Sequence, residues 1–294
     1  MSEIYVIGSM SVDLVTEVKR APKKGETLLG DRFFMTTGGK GANQAVAAAR
    51  LGASVHMVGC VGDDEFGKMI LDNLIKEQIQ VNHVETIPHC TSGTASIMLA
   101  DQDNSIVVVP GANYKVSVEQ VRQVLDEITA EDIVLLQNEI PLEVIEFVIN
   151  ECHKRQLRLV YNPAPFIPLD TELLNKVTYF TPNETEVEEL FGTSYKDLLQ
   201  QYRRQMIVTL GEKGATYFDE EMVTVPAHLQ KVVDTTGAGD TFNGALAVAI
   251  SENMSLSEAV AFGNQAAGLS VTALGAQGGM PHRKDMIECI VQEH

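Results

Sequence analysis

Basic residues are scarce in this chain: 22 Lys and Arg stand against 40 Asp and Glu, a formal net charge of −18. Such an acidic balance argues against nucleic acid or an anionic membrane surface as a partner. A phosphorylated ligand remains open, because a few backbone N–H groups, a lysine and a bound metal ion can outweigh the global field locally. Nor does any apolar run approach the length of a transmembrane helix, and the opening MSEIYVIGSMSVD enters a strand without a basic region or an apolar leader core. The four cysteines, Cys60, Cys90, Cys152 and Cys289, lie far apart without a CxxC pair, so they read as reduced thiols. A soluble, cytoplasmic protein is expected. Two familiar phosphate-binding patterns are also missing. There is no GxxxxGK[ST], which excludes a P-loop protein. VIGSMSVD offers one glycine where a dinucleotide fold needs three, which disfavours a hydride-transfer enzyme.

What the 294 residues do contain is an alternation of short apolar runs and amphipathic stretches. Strands are predicted at 4–8, 55–59, 133–137, 157–161, 177–181 and 206–210. Helices are predicted at 42–51, 65–76, 117–128, 142–155, 184–191, 195–204, 240–252, 255–274 and 283–292. Strands apolar on both faces and separated by helices predict an α/β fold, a mostly parallel sheet covered on both sides, in one domain spanning 1–294. Two segments break the rhythm. Residues 12–36 and 92–109 alternate like antiparallel strands, with Asp101-Gln102-Asp103-Asn104 as a hairpin tip, and predict a small β lid over the ends of the parallel strands.

Two glycine-rich helix starts stand far apart: TTGGKGANQAVAAARLG (36–52) and TTGAGDTFNGAL (235–246). A helix start presents unpaired N–H groups and the positive end of the macrodipole, and glycines let an anion approach the backbone closely. An aspartate there, Asp240, is out of place unless it caps the helix or takes part in chemistry. Asn183 followed by Glu186 forms a capping box, and the same pair could also face phosphates and hydrated Mg²⁺. Asp13, just after the first strand, and Glu139, after the strand at 133–137, place carboxylates at strand ends. Such groups suit a neutral polyhydroxylated ligand and repel one that already carries a phosphate.

These residues resemble the ribokinase-like (PfkB) carbohydrate kinases. GGKGANQAVAAARLGA and DTTGAGDTFNGAL carry the likeness, with GSMSVD, VPGAN (109–113), NETE (183–186) and TLGEKG (209–214) following in family order along the whole chain. The resemblance implies ATP-dependent phosphorylation of D-ribose at its 5-hydroxyl, with deoxyribose, another neutral sugar or a nucleoside as alternative acceptors. A sugar or nucleotide sensor without activity is the alternative of a different class. By the same resemblance Asp240 is the base and Gly237, Ala238 and Gly239 form the anion hole. Ser11, Asp13, Gly39, Lys40, Gly41, Ala42, Asn43, Glu139 and Asp240 bind sugar; Ser11 departs from the asparagine common in the family. Asn183, Thr209, Leu210, Gly211, Glu212, Lys213, Gly214, Gly239, Asp240 and Asn264 bind nucleotide, Asn264 near the adenine. Glu186 acts on Mg²⁺ through water, while Asp234, Thr236, Ser270, Ala273, Gly275 and Gly279 bind an activating K⁺. The apolar IVVV at 106–109 adds the expectation of a homodimer formed through the lid.

Overall fold

The computed structural model describes residues 2–100 and 103–286. In chain order the first elements are β1 (Glu3–Ile7), β2 (Ser11–Glu17), β3 (Arg32–Gly38), α1 (Lys40–Arg50), β4 (Ser54–Gly62), α2 (Glu65–Lys76) and β5 (Gln80–Ile87). The middle of the chain gives β6 (Gly93–Ala100), β7 (Asp103–Val109), α3 (Val118–Leu125), β8 (Ile133–Leu136), α4 (Leu142–Arg155), β9 (Arg158–Tyr161) and β10 (Tyr179–Phe180). The last third gives α5 (Glu184–Phe191), α6 (Tyr195–Leu198), β11 (Ile207–Thr209), β12 (Ala215–Phe218), β13 (Met222–Val225), α7 (Ala238–Ser251) and α8 (Leu256–Ser270).

Six strands form the central sheet in the order β10-β9-β8-β1-β4-β5, and every pair in it is parallel. Along β1 the side chains alternate between two cores. Ile4 and Val6 join a core with α1, α7 and α8, and Tyr5 and Ile7 join one with α3 and α4. Burial on both faces is why these strands read as continuous apolar runs. Helices α1 and α7 approach closely because Gly244 has no side chain: a Cβ there would lie 2.6 Å from the Gln44 carbonyl oxygen. That contact sets the two glycine-rich helix starts side by side.

A second sheet runs β3-β2-β6-β7. Its two hairpin pairs are antiparallel, as expected, but the central pair β2–β6 is parallel, because each hairpin leaves the main sheet in the same direction. The expected hairpin tip falls partly on 101 and 102, outside the described residues; Asp103 and Asn104 already belong to β7.

Several expectations need correction. The strand predicted at 206–210 is β11 of a separate antiparallel sheet, β11-β12-β13, joined to the main one by two parallel bridges, Phe180 to Met206 and Asn183 to Thr209. The helix predicted at 195–204 stops at Leu198, and the chain turns before Arg204, which takes φ 60°. The helix predicted at 255–274 ends at Ser270, where the chain folds into tight turns. Of the helix predicted at 283–292, residues 283–286 are helical and the remainder lies outside the described residues. The polar edge strand β5 and the short β12 and β13 carry too weak an apolar pattern to be read in advance. Among the described residues no helix is long and apolar enough to cross a membrane. The three described cysteines are free; Cys60 and Cys152 are buried, and burial pushes both thiols up to about 12.

Candidate active site

The turn at 235–240 divides two clefts. On one side a cavity of ≈ 420 Å³ is lined by Ser11, Asp13, Gly39, Lys40, Asn43, Glu139, Thr236, Gly237 and Asp240, and roofed by Ala95, Ile97, Ile106 and Val108 of the small sheet. On the other side a cavity of ≈ 550 Å³ is lined by Asn183, Thr209, Gly211, Glu212, Gly214, Thr235, Ala238, Gly239 and Asn264. Successive residues of one turn thus face opposite ligand spaces.

Gly237 is the N-cap of α7, with φ 79°, and a Cβ there would lie 2.5 Å from the Ala276 carbonyl oxygen. Only glycine takes this conformation and this contact without strain. The amide of Ala238 turns back to the Thr235 carbonyl at 3.2 Å. Those of Gly239 and Asp240, second and third in the helix, have no partner available within it. The capping alternative for Asp240 does not hold. Its carboxylate makes no cap bond; it is 7% exposed and accepts from Asn43 Nδ2 at 2.9 Å and Gln44 Nε2 at 3.2 Å, both on α1.

Gly39 opens α1 at φ 89°, and a Cβ there would lie 2.9 Å from Met10 Cα. The first glycine cluster is therefore pressed against the start of β2, the strand that carries Ser11 and Asp13. Asp13 is 9% exposed. Burial, helped by the charges of Glu139 and Asp240 and opposed by the Ser11 hydroxyl, pushes its carboxyl up to about 6. Glu139 accepts from the Lys40 amide at 3.0 Å and from the Ser9 hydroxyl. The nearby charge of Asp240 raises Lys40 above the usual lysine value against the pull of burial, with Glu139 and Glu186 adding to it. Lys40 therefore stays an ammonium between three carboxylates.

Gly41 and Ala42 do not reach the cleft. The Ala42 amide donates to the Ser9 carbonyl at 2.9 Å, and its methyl is in the core. Leu210 packs into the other core and Lys213 is exposed, so neither lines the second cavity. Asn264 does line it, but its Nδ2 is spent on the carbonyls of Val225 (2.8 Å) and Pro226 (3.1 Å), where it pins the adjoining loop. Asn183 and Glu186 form the full capping box on α5, at 2.8 and 2.9 Å. Burial raises the Glu186 carboxyl, while the Asn183 amide and Lys40 lower it.

Asp234 accepts the amides of Thr236 and Gly275, each at 2.9 Å, which bonds the 234–237 turn to the loop after α8. Burial opposes ionisation of Asp234, but these hydrogen bonds prevail and hold it below the usual carboxylate range. Ser270 and Gly279 meet across that loop, where a Gly279 Cβ would lie 1.9 Å from the Ser270 carbonyl oxygen; Ala273 sits in its bends. Among the described residues no cluster of three His, Cys, Asp or Glu could hold a metal. The donors here are one carboxylate, hydroxyls and carbonyls, an oxygen set that suits a hard cation.

Reading the sequence singled out Asn43 but missed Gln44, the other partner of the aspartate, and the buried amides behind them. Gln44, Asn113, Gln137, Asn138, Asn162 and Gln277 are all buried around the first cleft. Gln137 Nε2 donates to Gln44 Oε1 at 2.7 Å, and Asn113 clasps the main chain of Met10 through both ends of its amide. A signal existed for Gln44: with Asn43, it interrupts an alanine-rich helix at positions that the period buries, and a buried amide needs a partner.

The family model "pfkB family carbohydrate kinase" matches residues 1–283. A ribokinase of Bacillus subtilis is 47% identical over 292 residues, 99% of this chain and 100% of that protein. A ribokinase of Lactococcus lactis is 45% identical over 284 residues, 96% and 94% of the two chains. Among solved structures, Arabidopsis thaliana ribokinase complexed with ribose and ATP superposes with a TM-score of 0.86 at 32% identity, over 98% of each chain.

Proposed function

The chain belongs to the pfkB family of carbohydrate kinases, and from this we propose that it transfers the γ-phosphoryl group of ATP to the 5-hydroxyl of D-ribose, giving ribose 5-phosphate and ADP. The observation that carries this reading is the shared turn: Asp240 faces the carboxylate-lined cleft, while Gly239 beside it faces the other. A sugar in the first cleft and a nucleotide in the second would meet only there.

Asp13, Glu139 and Asn43 receive the ribose hydroxyls. Asp240 orients the 5-hydroxyl and takes its proton as the oxygen attacks the γ-phosphorus in line with the departing ADP oxygen. Its two oxygens each accept one amide, and the remaining lone pairs are left for the hydroxyl. The amides of Gly239 and Asp240 and the Lys40 ammonium stabilise charge on the transferred group. Glu186 keeps one oxygen beyond its capping bond and would hold Mg²⁺ through water, beside the nucleotide phosphates. Mg²⁺ bound with ATP neutralises phosphate charge. Asp234, Thr236 and the carbonyls of the 270–279 loop would hold K⁺. The carboxylates around the sugar disfavour an acceptor that already carries a phosphate.

Phe33 and Met35 on β3 and Val107 on β7 are exposed, and β3 and β7 are the two edges of the small sheet. Pairing of two such sheets into a homodimer would cover such residues and an edge. Use of ATP and reduced cysteines fit the cytoplasm. An ADP-release assay across pentoses, hexoses and nucleosides, with Mg²⁺ and K⁺ present, tests the acceptor. D-Ribose should give the highest kcat/KM; a preference for 2-deoxyribose or a nucleoside would replace ribose, and binding of both ligands without turnover would indicate a sensor.

A further inference from the structure

We infer that Gln277 is a positioning residue for the reaction, holding Asp240 in register through Asn43; this rests on Asp240 being the base proposed above. Gln277 lies in the loop after α8, 5% exposed, more than thirty residues from Asp240 in sequence. Its Oε1 accepts from Thr37 Oγ1 and from Asn73 Nδ2, both at 3.0 Å. With Oε1 engaged by these two groups, Nε2 is turned to Asn43 Oδ1 at 3.0 Å. Asn43 is then fixed in turn. Its Oδ1 is occupied as an acceptor, so its Nδ2 faces Asp240 Oδ2. The opposite orientation would set a carbonyl oxygen against a carboxylate.

The relay has a firm anchor. The Gln277 carbonyl accepts Arg50 Nη1 at 2.6 Å, and Arg50 is paired with Glu77 through two bonds of 2.7 and 2.9 Å. Gln277 is thus held to α1 at Asn43 by its side chain and at Arg50 by its main chain. The residue before it, Ala276, is the one against which Gly237 packs. Two consecutive loop residues therefore set the glycine turn and the carboxylate that follows it. Gln44 holds the other oxygen of Asp240, so the plane of the carboxylate is defined by two donors, each oriented by a further amide. Thr37 belongs to β3, which ties the same relay to the small sheet over the sugar cleft. A base released from one of these donors can rotate, and a displacement of about 1 Å can cost up to about 100-fold in rate.

The test is a double-mutant cycle of Gln277→Met and Asn43→Ala, with kcat and both KM values measured on the full chain with Mg-ATP and ribose. Gln277→Met alone should lower kcat by at least tenfold and leave KM for ATP within twofold. In the Asn43→Ala background the same substitution should change kcat by less than twofold, because the relay is already cut. A kcat within twofold of wild type in folded Gln277→Met overturns the inference, as does an equal fractional loss in both backgrounds. Should Gln277→Met fail to fold, Thr37→Val combined with Asn73→Ala removes both bonds that orient the amide. A fall of at least fivefold is expected there, and wild-type kcat overturns the inference. Failure of the kinase reading itself is distinguishable, since the wild-type protein would then show no turnover.

Discussion

Asp240 and Asp13 are carboxylates a short distance apart in one cleft, yet their surroundings differ. Asp240 has two amide donors on its oxygens, whereas Asp13 has a single hydroxyl at 3.4 Å and two carboxylates nearby. Burial, aided by Glu139 and Asp240, holds the Asp13 carboxyl near 6, above its ordinary 3.8. The folded chain therefore binds this proton more tightly than the unfolded one. The stabilising contribution is complete below about 3.8, fades as pH rises and is lost above about 6. Asp13→Asn should accordingly raise the Tm of the ligand-free protein at pH 7.5, by roughly 2–3 kcal/mol of stability, since each pKa unit is about 1.4 kcal/mol. The gain should shrink as pH falls from about 6 to about 4. Thermal unfolding of both proteins across that range checks it, and a gain independent of pH would remove Asp13 as the cause. The same substitution should raise KM for ribose at neutral pH and leave KM for ATP little changed.

Helices α1 and α7 are the elements that make the site, and their junction depends on Gly244. Gly244→Ala should destabilise the protein by about 1–3 kcal/mol, the usual cost of overpacking. It should also lower kcat, because the bonds of Asn43 and Gln44 to Asp240 cross that junction; unfolding and steady-state rates on one preparation check both. A second prediction concerns the loop after α8. Asp234 bonds that loop to the glycine turn, so an ion held there would order the amides facing the phosphoryl group. Replacing K⁺ by Na⁺ at equal ionic strength should lower activity, and Asp234→Ala should abolish the difference. A rate unchanged across a K⁺ titration of ion-free protein would refute the site. Both helix starts were legible in the sequence, because glycines followed by an alanine-rich stripe have a local physical meaning. The capping box at Asn183 was legible for the same reason. Gln277 was not, because its partners are 240, 234 and 204 residues away and nothing local marks a loop glutamine as buried. Strands β12 and β13 were missed for their shortness, and the parallel β2–β6 pair because pairing direction is set by topology.

For the whole molecule, the alternation of apolar strands and amphipathic helices was sufficient to anticipate a covered parallel sheet and a small sheet beside it. Oligomeric state is a matter of surface. With Phe33 and Met35 exposed on the edge strand β3 and Val107 on the opposite edge strand β7, sedimentation velocity should find a dimer, and Val107→Asp should convert it to monomer. A wild-type monomer at micromolar concentration would contradict pairing through this sheet. The central claim is that two clefts meeting at one turn deliver the γ-phosphoryl of ATP to the 5-hydroxyl of ribose under the control of Asp240. It is tested most directly by ³¹P NMR of the products formed from Mg-ATP and D-ribose by the wild-type protein and by Asp240→Asn. The wild type should yield ribose 5-phosphate and ADP in equal amounts. Asp240→Asn should bind ATP but form product at least about 100-fold more slowly, the loss typical of a missing acid–base group. Phosphorylation at another hydroxyl, inorganic phosphate in place of a sugar phosphate, or wild-type turnover by Asp240→Asn would contradict it.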